Sequence, residues 1–161
     1  MNGVVVECMT EDVVTATPTM TLKQVDELLV KNGITGLPVV DGEMLVGVIS
    51  QSDIVRVLLD EQIEAQRVSD IYQSPFPIPI PALEHLALES RKIADHMVNL
   101  EVSEVMSPAP VTVSVDESID AVGRLMIGNR IHRVLVTDRG RLVGIVSALD
   151  IVGTMLDPVD D

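Results

Sequence analysis

Leu45-Val46-Gly47-Val48-Ile49-Ser50-Gln51-Ser52-Asp53 returns 97 residues later as Leu142-Val143-Gly144-Ile145-Val146-Ser147-Ala148-Leu149-Asp150. Each copy is an apolar run that ends in Ser-x-x-Asp. An apolar run of this length bounded by a polar break reads as a strand, and Ser-x-x-Asp reads as the start of a helix. Outward from this stretch the match continues without a gap from Val5–Asp60 onto Val102–Asp157, with 20 identities in 56 positions. Random pairing of average composition would give roughly three or four, so the chain is an internal duplication.

Both copies share one order of elements. Val13–Ala16 and Val111–Val113 read as short strands. Thr21 and Ser118 are placed to cap a helix, and Thr21-x-x-Gln24 has the form of a capping box. The helices that follow put Leu22, Val25, Leu28 and Leu29, and in the second copy Ile119, Val122, Leu125 and Met126, on one face. Asn32 and Asn129 suit a left-handed helix stop. Leu37–Val40, the turn Asp41-Gly42 and Leu45–Ile49 form a hairpin pattern, matched by Val134–Val136, Asp138–Gly140 and Leu142–Val146. A closing helix starts at Ser52 and at Ala148. Each unit is thus strand–helix–strand–strand–helix in about 55 residues, and a unit that small buries little surface alone. The expected fold is α+β, with two repeats packed around a pseudo-two-fold axis. Residues 1–60 form the first domain, 61–100 a linker and 101–161 the second domain. Within the linker, Ser74–Pro81 is too rich in proline for helix or central strand and is expected to be extended. Leu83, Leu86, Ala87, Ile93, Ala94 and Met97 then recur at helical spacing.

Composition narrows the function. The net charge of -14 argues against nucleic acid and against an anionic membrane surface. Aromatic residues are limited to Tyr72 and Phe76, so a bound heterocycle would sit between aliphatic side chains. The single cysteine, Cys8, excludes an internal disulfide and reads as a packing residue. No apolar run approaches the roughly 20 residues of a membrane span, and Met1-Asn2-Gly3 does not open a signal-peptide pattern; the expected location is cytoplasmic. There is no nucleophile elbow, Walker loop, H-E-x-x-H or zinc-type cysteine pair, so no catalytic or metal site is expected. His85, His96 and Glu89 lie near one another in sequence and read as a solvated face.

The Ser-x-x-Asp segments allow two readings. Serine and aspartate three apart cap a helix. The same geometry offers N–H groups and a hydroxyl to phosphate, and a carboxylate to a ribose diol. Gly47 and Gly144 would let a ligand approach the backbone closely. A basic cluster favours the ligand. Of 11 Lys and Arg residues, five are Arg124, Arg130, Arg133, Arg139 and Arg141. Arg124 on a helix face, and Arg139 and Arg141 at a turn, read as solvated. His132 and Arg133 open a strand and are the better anion ligands.

The repeat resembles the cystathionine β-synthase-type (CBS) domain over both units, roughly 110 of 161 residues. The Gly-x-x-Ser-x-x-Asp segments carry the resemblance, and Asn129–Val136 followed by Gly144–Asp150 is similar to the repeats of the gamma regulatory subunit of AMP-activated protein kinase. The resemblance implies a non-enzymatic Bateman module, often a homodimer, that binds AMP, ADP or ATP, or in some relatives S-adenosylmethionine, and acts on a protein partner. It implies Asp53 and Asp150 on ribose hydroxyls, Ser50 and Ser147 on phosphate, and Thr15 and Thr112 beside the base. Gly36, Leu37 and Val134 are apolar or small neighbours in the ligand-binding set, and His132 and Arg133 meet the phosphates. Repeat one has Thr35-Gly36 where repeat two has His132-Arg133, so repeat two is expected to hold the stronger phosphate site. Arg56, one turn beyond Asp53, is either a partial substitute for those charges or a surface arginine.

Overall fold

A computed structural model describes residues 3–57, 60 and 99–156. The elements are a 3-10 turn at Val5–Glu7, α1 (Leu22–Asn32), β1 (Gly36–Asp41), β2 (Met44–Ser50), α2 (51–57), α3 (Val102–Val105), β3 (Ser107–Pro108), β4 (Thr112–Ser114), α4 (Ile119–Asn129), β5 (Arg133–Asp138), β6 (Arg141–Ser147) and α5 (Ala148–Gly153). The fold is α+β, and its two copies agree in detail. β1 and β5 have the same order of buried and exposed residues, and so do β2 and β6. In β1 and β5 three successive residues are buried, as expected of strands covered on both faces.

Local chemistry sets the helix ends. Thr21 Oγ1 accepts from Gln24 N at 3.3 Å, and Gln24 Oε1 accepts from Thr21 N at 2.9 Å. Ser118 Oγ accepts from Ala121 N at 3.2 Å. The expected stops at Asn32 and Asn129 are corrected by one residue: the left-handed positions are Gly33 (φ 62°) and Arg130 (φ 54°). The asparagines remain helical and donate Nδ2 to Leu28 O at 2.8 Å and Leu125 O at 2.9 Å, closing the last turn from inside.

The strand expected at Val13–Ala16 is also corrected. Among the described residues only Ala16 makes a bridge there, whereas its counterpart is the true strand β4. Proline explains the difference. Val115 N donates to Thr137 O at 3.1 Å just past β4, and the equivalent residue in repeat one is Pro18, which has no N–H to give.

Contact density groups the chain into two units that do not follow the repeat boundaries. Among the described residues, one contains 3–15, 38–48 and 107–156; the other contains 16–37, 49–57, 60 and 99–106. In the first, strands lie in the order β1-β2-β6-β5-β4, and β3 pairs with β2. β4 runs parallel to β5, and β5 antiparallel to β6, with a bulge between Val136 and Thr137. The turn from β5 to β6 has positive φ at Arg139 (49°) and Gly140 (83°), the pattern of a tight hairpin. The core of this unit is Val5, Ile119, Val122, Met126, Val134, Val136, Val146 and Ile151, with Cys8 and Met9 packed at its margin. Burying one such valine contributes about 1.5–3 kcal/mol.

In the second unit the buried residues of α1, Leu22, Val25 and Leu29, are those the periodicity marks, with Leu28 half-buried. Leu22 N donates to Leu100 O at 3.0 Å and Val102 N to Met20 O at 2.8 Å, tying the entry of α1 to the entry of α3. The Pro-rich segment, the helix pattern of 83–97 and the His85, Glu89 and His96 group lie outside the described residues. Among the described residues no helix is long and apolar enough to cross a membrane.

Candidate functional site

In repeat two, β6 ends at Ser147 and α5 begins at Ala148. Asp150 Oδ2 accepts from Ser147 N at 2.7 Å and from Ser147 Oγ at 2.7 Å, while Asp150 N donates to Ser147 Oγ at 3.2 Å. This is a reciprocal capping box. Arg133 is the register partner of Ser147 on the neighbouring strand, and Ala148 N donates to His132 O at 2.9 Å. Four of the candidate residues, His132, Arg133, Ser147 and Asp150, therefore converge where β5 starts and β6 gives way to α5. Both cationic candidates are exposed and Asp150 is half-buried. The cap uses only Oδ2; a carboxylate has two oxygens, so Oδ1 is left to accept from a ligand.

Repeat one repeats the cap with a difference. Asp53 Oδ2 accepts from Ser50 N at 2.8 Å and Ser50 Oγ at 2.7 Å. Its other oxygen, Oδ1, lies 3.4 Å from Arg56 Nη2, and the aspartate side chain is only 7% exposed against 66% for Arg56. Repeat two has Gly153 at the position of Arg56. No buried side-chain polar atom among the described residues lacks a partner.

The remaining candidates separate. Val134 and Leu37 are core residues, 2% and 1% exposed, so their side chains face other protein atoms. Gly36 is exposed beside the start of the cap, and a Cβ built on it would lie at ordinary contact distances, 3.4 Å from Ile49 O and 3.6 Å from the Ser50 Cβ. Thr112 is exposed on β4, in register with Leu135 rather than with Arg133. Gly47 is buried and bridges Pro108. At Gly144 the close approach is made by the chain itself. A Cβ there would meet Met9 Sδ at 2.6 Å and Thr10 O at 3.0 Å, and Thr10 and Ile145 exchange backbone hydrogen bonds of 2.8 and 2.9 Å.

Two cavities flank these residues in the first unit. One, of about 490 Å³, runs along α4 and α5 and is lined by Met126, Ile127, Ile151, Val152 and Met155, with Arg130 and His132 among its polar residues. The second, of about 350 Å³, takes in Thr15, Glu11, Glu43 and Arg141. Thr15 thus sits apart from His132. The apolar wall of the larger cavity was not among the sequence candidates, although Ala148, Ile151, Val152 and Met155 recur at helical spacing.

The solvated readings of the other arginines hold. Arg124 Nε donates to Asp120 Oδ2 at 2.9 Å, and Arg141 Nη1 lies 3.1 Å from Glu43 Oε2. The Arg124 hydrogen bond and charge hold the Asp120 carboxyl below its usual range, and a hydrogen bond from Ser114 does the same for Asp116. The Cys8 thiol is pushed up, first by burial and then by the carboxylates of Asp150 and Glu7, so it is held as the neutral packing group the sequence suggests. Among the described residues no cluster of three metal-ligating side chains occurs.

The CBS domain family matches the chain at residues 5–60 and 102–157, the two arms of the duplication. The chain belongs to that family, as a tandem CBS pair. It is 31% identical over 144 residues to the uncharacterized protein MJ1426 of Methanocaldococcus jannaschii, a match covering 84% of this chain and 81% of the relative. The crystal structure of MJ1225 from the same organism, proposed as an archaeal homologue of the gamma subunit of AMP-activated protein kinase, superposes with a TM-score of 0.69 and 27% identity. That match covers 96% of this chain and 48% of MJ1225, so the chain spans about half of that relative. The CBSX2 structure, from a complex with AMP, has the same fold, with a TM-score of 0.66, 24% identity and coverage of 94% and 95% of the two chains.

Proposed function

We propose that this CBS pair is a regulatory module that binds an adenosine-based ligand and passes its occupancy to a partner protein, without catalysing a reaction. One observation carries the reading. In repeat two the Ser147–Asp150 cap, the strand end bearing His132 and Arg133, and the free edge of the Asp150 carboxylate meet in one place. A diol can donate to Asp150 Oδ1, and an anion can be met by the guanidinium of Arg133 and the imidazole of His132. That CBSX2 is seen with AMP supports the same class of ligand here. AMP, ADP and ATP fit His132 and Arg133; S-adenosylmethionine would keep the diol contact and leave these two side chains unused. The ligand can shift the partner's activity only by as much as its affinity differs between the two regulatory states.

A capping box alone would also serve a module that binds no ligand, and the Ser147–Asp150 box is complete. Thermal unfolding separates the two, followed by calorimetry because the chain has no tryptophan. A ligand at ~100 times its dissociation constant adds about 2.7 kcal/mol if it binds only the folded state. The expected result is a rise in Tm with one of AMP, ADP, ATP or S-adenosylmethionine that is much smaller in Asp150→Ala. No rise with any of the four would leave a ligand-free interaction module.

The same proposal includes a homodimer in the cytoplasm. Val30 on α1 and its repeat partner Ile127 on α4 are 71% and 82% exposed, and Val55 and Val152 repeat the pattern at 50% and 47%. Uncovered apolar positions that recur in both copies suit a self-complementary contact with a second chain.

A further inference from the structure

We infer that Arg56 occludes the ribose-type carboxylate of repeat one, so that the two repeats differ in access to the diol as well as in phosphate charge. The inference rests on the adenosine-ligand reading and deepens it. The two aspartates are held alike through Oδ2, by the N–H and hydroxyl of Ser50 or Ser147 at 2.7–2.8 Å. They differ at Oδ1. Asp53 Oδ1 faces Arg56 Nη2 at 3.4 Å, whereas one turn beyond Asp150 stands Gly153, which has no side chain to offer. A diol arriving at Asp53 must displace a guanidinium; at Asp150 it meets an open carboxylate edge. Asp53 is also the more enclosed, with its side chain 7% exposed, so the arginine occupies the open side of a group with little other access.

The opposite role for Arg56 is a phosphate ligand that replaces the missing His132-Arg133 pair. A neutral probe distinguishes them, because adenosine carries the diol and base but no phosphate. Repeat one is isolated by Asp150→Asn, which keeps a carbonyl to accept the Ser147 cap bonds while removing the carboxylate. Adenosine and AMP are titrated calorimetrically into wild type, Asp150→Asn and Asp150→Asn/Arg56→Gln; glutamine keeps helix propensity. Unfolding scans confirm that each variant is folded. With its arginine 66% exposed, an ion pair of this kind holds about 0.2–1 kcal/mol, so release of Asp53 should tighten adenosine about 1.4- to fivefold. Rising salt should tighten adenosine in Asp150→Asn and have no such effect once Arg56 is replaced.

Unchanged adenosine affinity in the double variant overturns the occlusion, and weaker AMP binding with unchanged adenosine assigns Arg56 to phosphate instead. In both cases binding by wild type leaves the functional reading intact. If neither wild type nor any variant takes up adenosine or AMP, the occlusion fails, and the functional reading then stands or falls on the unfolding scans with ADP, ATP and S-adenosylmethionine.

Discussion

Arg130 is the residue at which the two repeats part most sharply in backbone chemistry. It closes α4 at φ 54°, where repeat one closes α1 with Gly33 at φ 62°. A side chain in the left-handed region costs about 1–2 kcal/mol, and glycine gives back part of that gain through its greater unfolded-state freedom. Arg130→Gly is therefore expected to stabilise the protein by roughly 0.5–1 kcal/mol, read as a higher Tm. A lower Tm would show that the Arg130 side chain contributes more than its backbone costs. At this scale the sequence was partly legible. Thr21, Ser118 and Ser147 cap the helices their spacing marks, and at Ser50 the bonds run to the Asp53 carboxylate. The left-handed positions fall one residue later than the asparagines suggest, because Asn32 and Asn129 use their side chains on the carbonyls four residues back. The contact of Arg56 with Asp53 required coordinates, since an arginine one turn away can as easily point to solvent.

The helices raise a question of what covers them. α1 and α4 bury the faces their periodicity marks, yet leave Val30 and Ile127 open; α5 leaves Leu149 79% exposed, and Met155 in the turn after it is 59% exposed. Ile127, Val152 and Met155 line one cavity, and exposed apolar side chains of this kind would suit the proposed dimer contact. Sedimentation of the wild-type protein should give a dimer, and Ile127→Asp a folded monomer, because a charge cannot be desolvated there without a partner. A wild-type protein that sediments as a monomer, or an Ile127→Asp variant that stays dimeric, excludes this face as the contact. The strands show where sequence reading fails at this scale. Both hairpins were legible from alternating apolar runs around Asp-Gly or Asp-Arg-Gly turns. The first strand of repeat one was not, because a single missing N–H at Pro18 ends a ladder that Val115 continues in repeat two. Val134 and Leu37 are buried, so at those positions the proposed ligand set draws on backbone rather than side chain.

For the whole molecule, duplication is what makes the chain readable. Twenty identities in 56 aligned positions identify the family fold, and matching burial in β1 and β5 and in β2 and β6 carries it into three dimensions. Function lies in how the copies diverge. Repeat two has His132 and Arg133, an open Asp150 edge and no arginine one turn on; repeat one has Thr35 and Gly36 and an aspartate already paired to Arg56. Under the proposed function, a sensor built this way would have one principal site and one subordinate site. The direct test is calorimetric titration of AMP into wild type, Asp150→Ala and Asp53→Ala, with unfolding scans to confirm that each remains folded. The account predicts that Asp150→Ala weakens AMP binding by more than Asp53→Ala does. A greater loss from Asp53→Ala would contradict it.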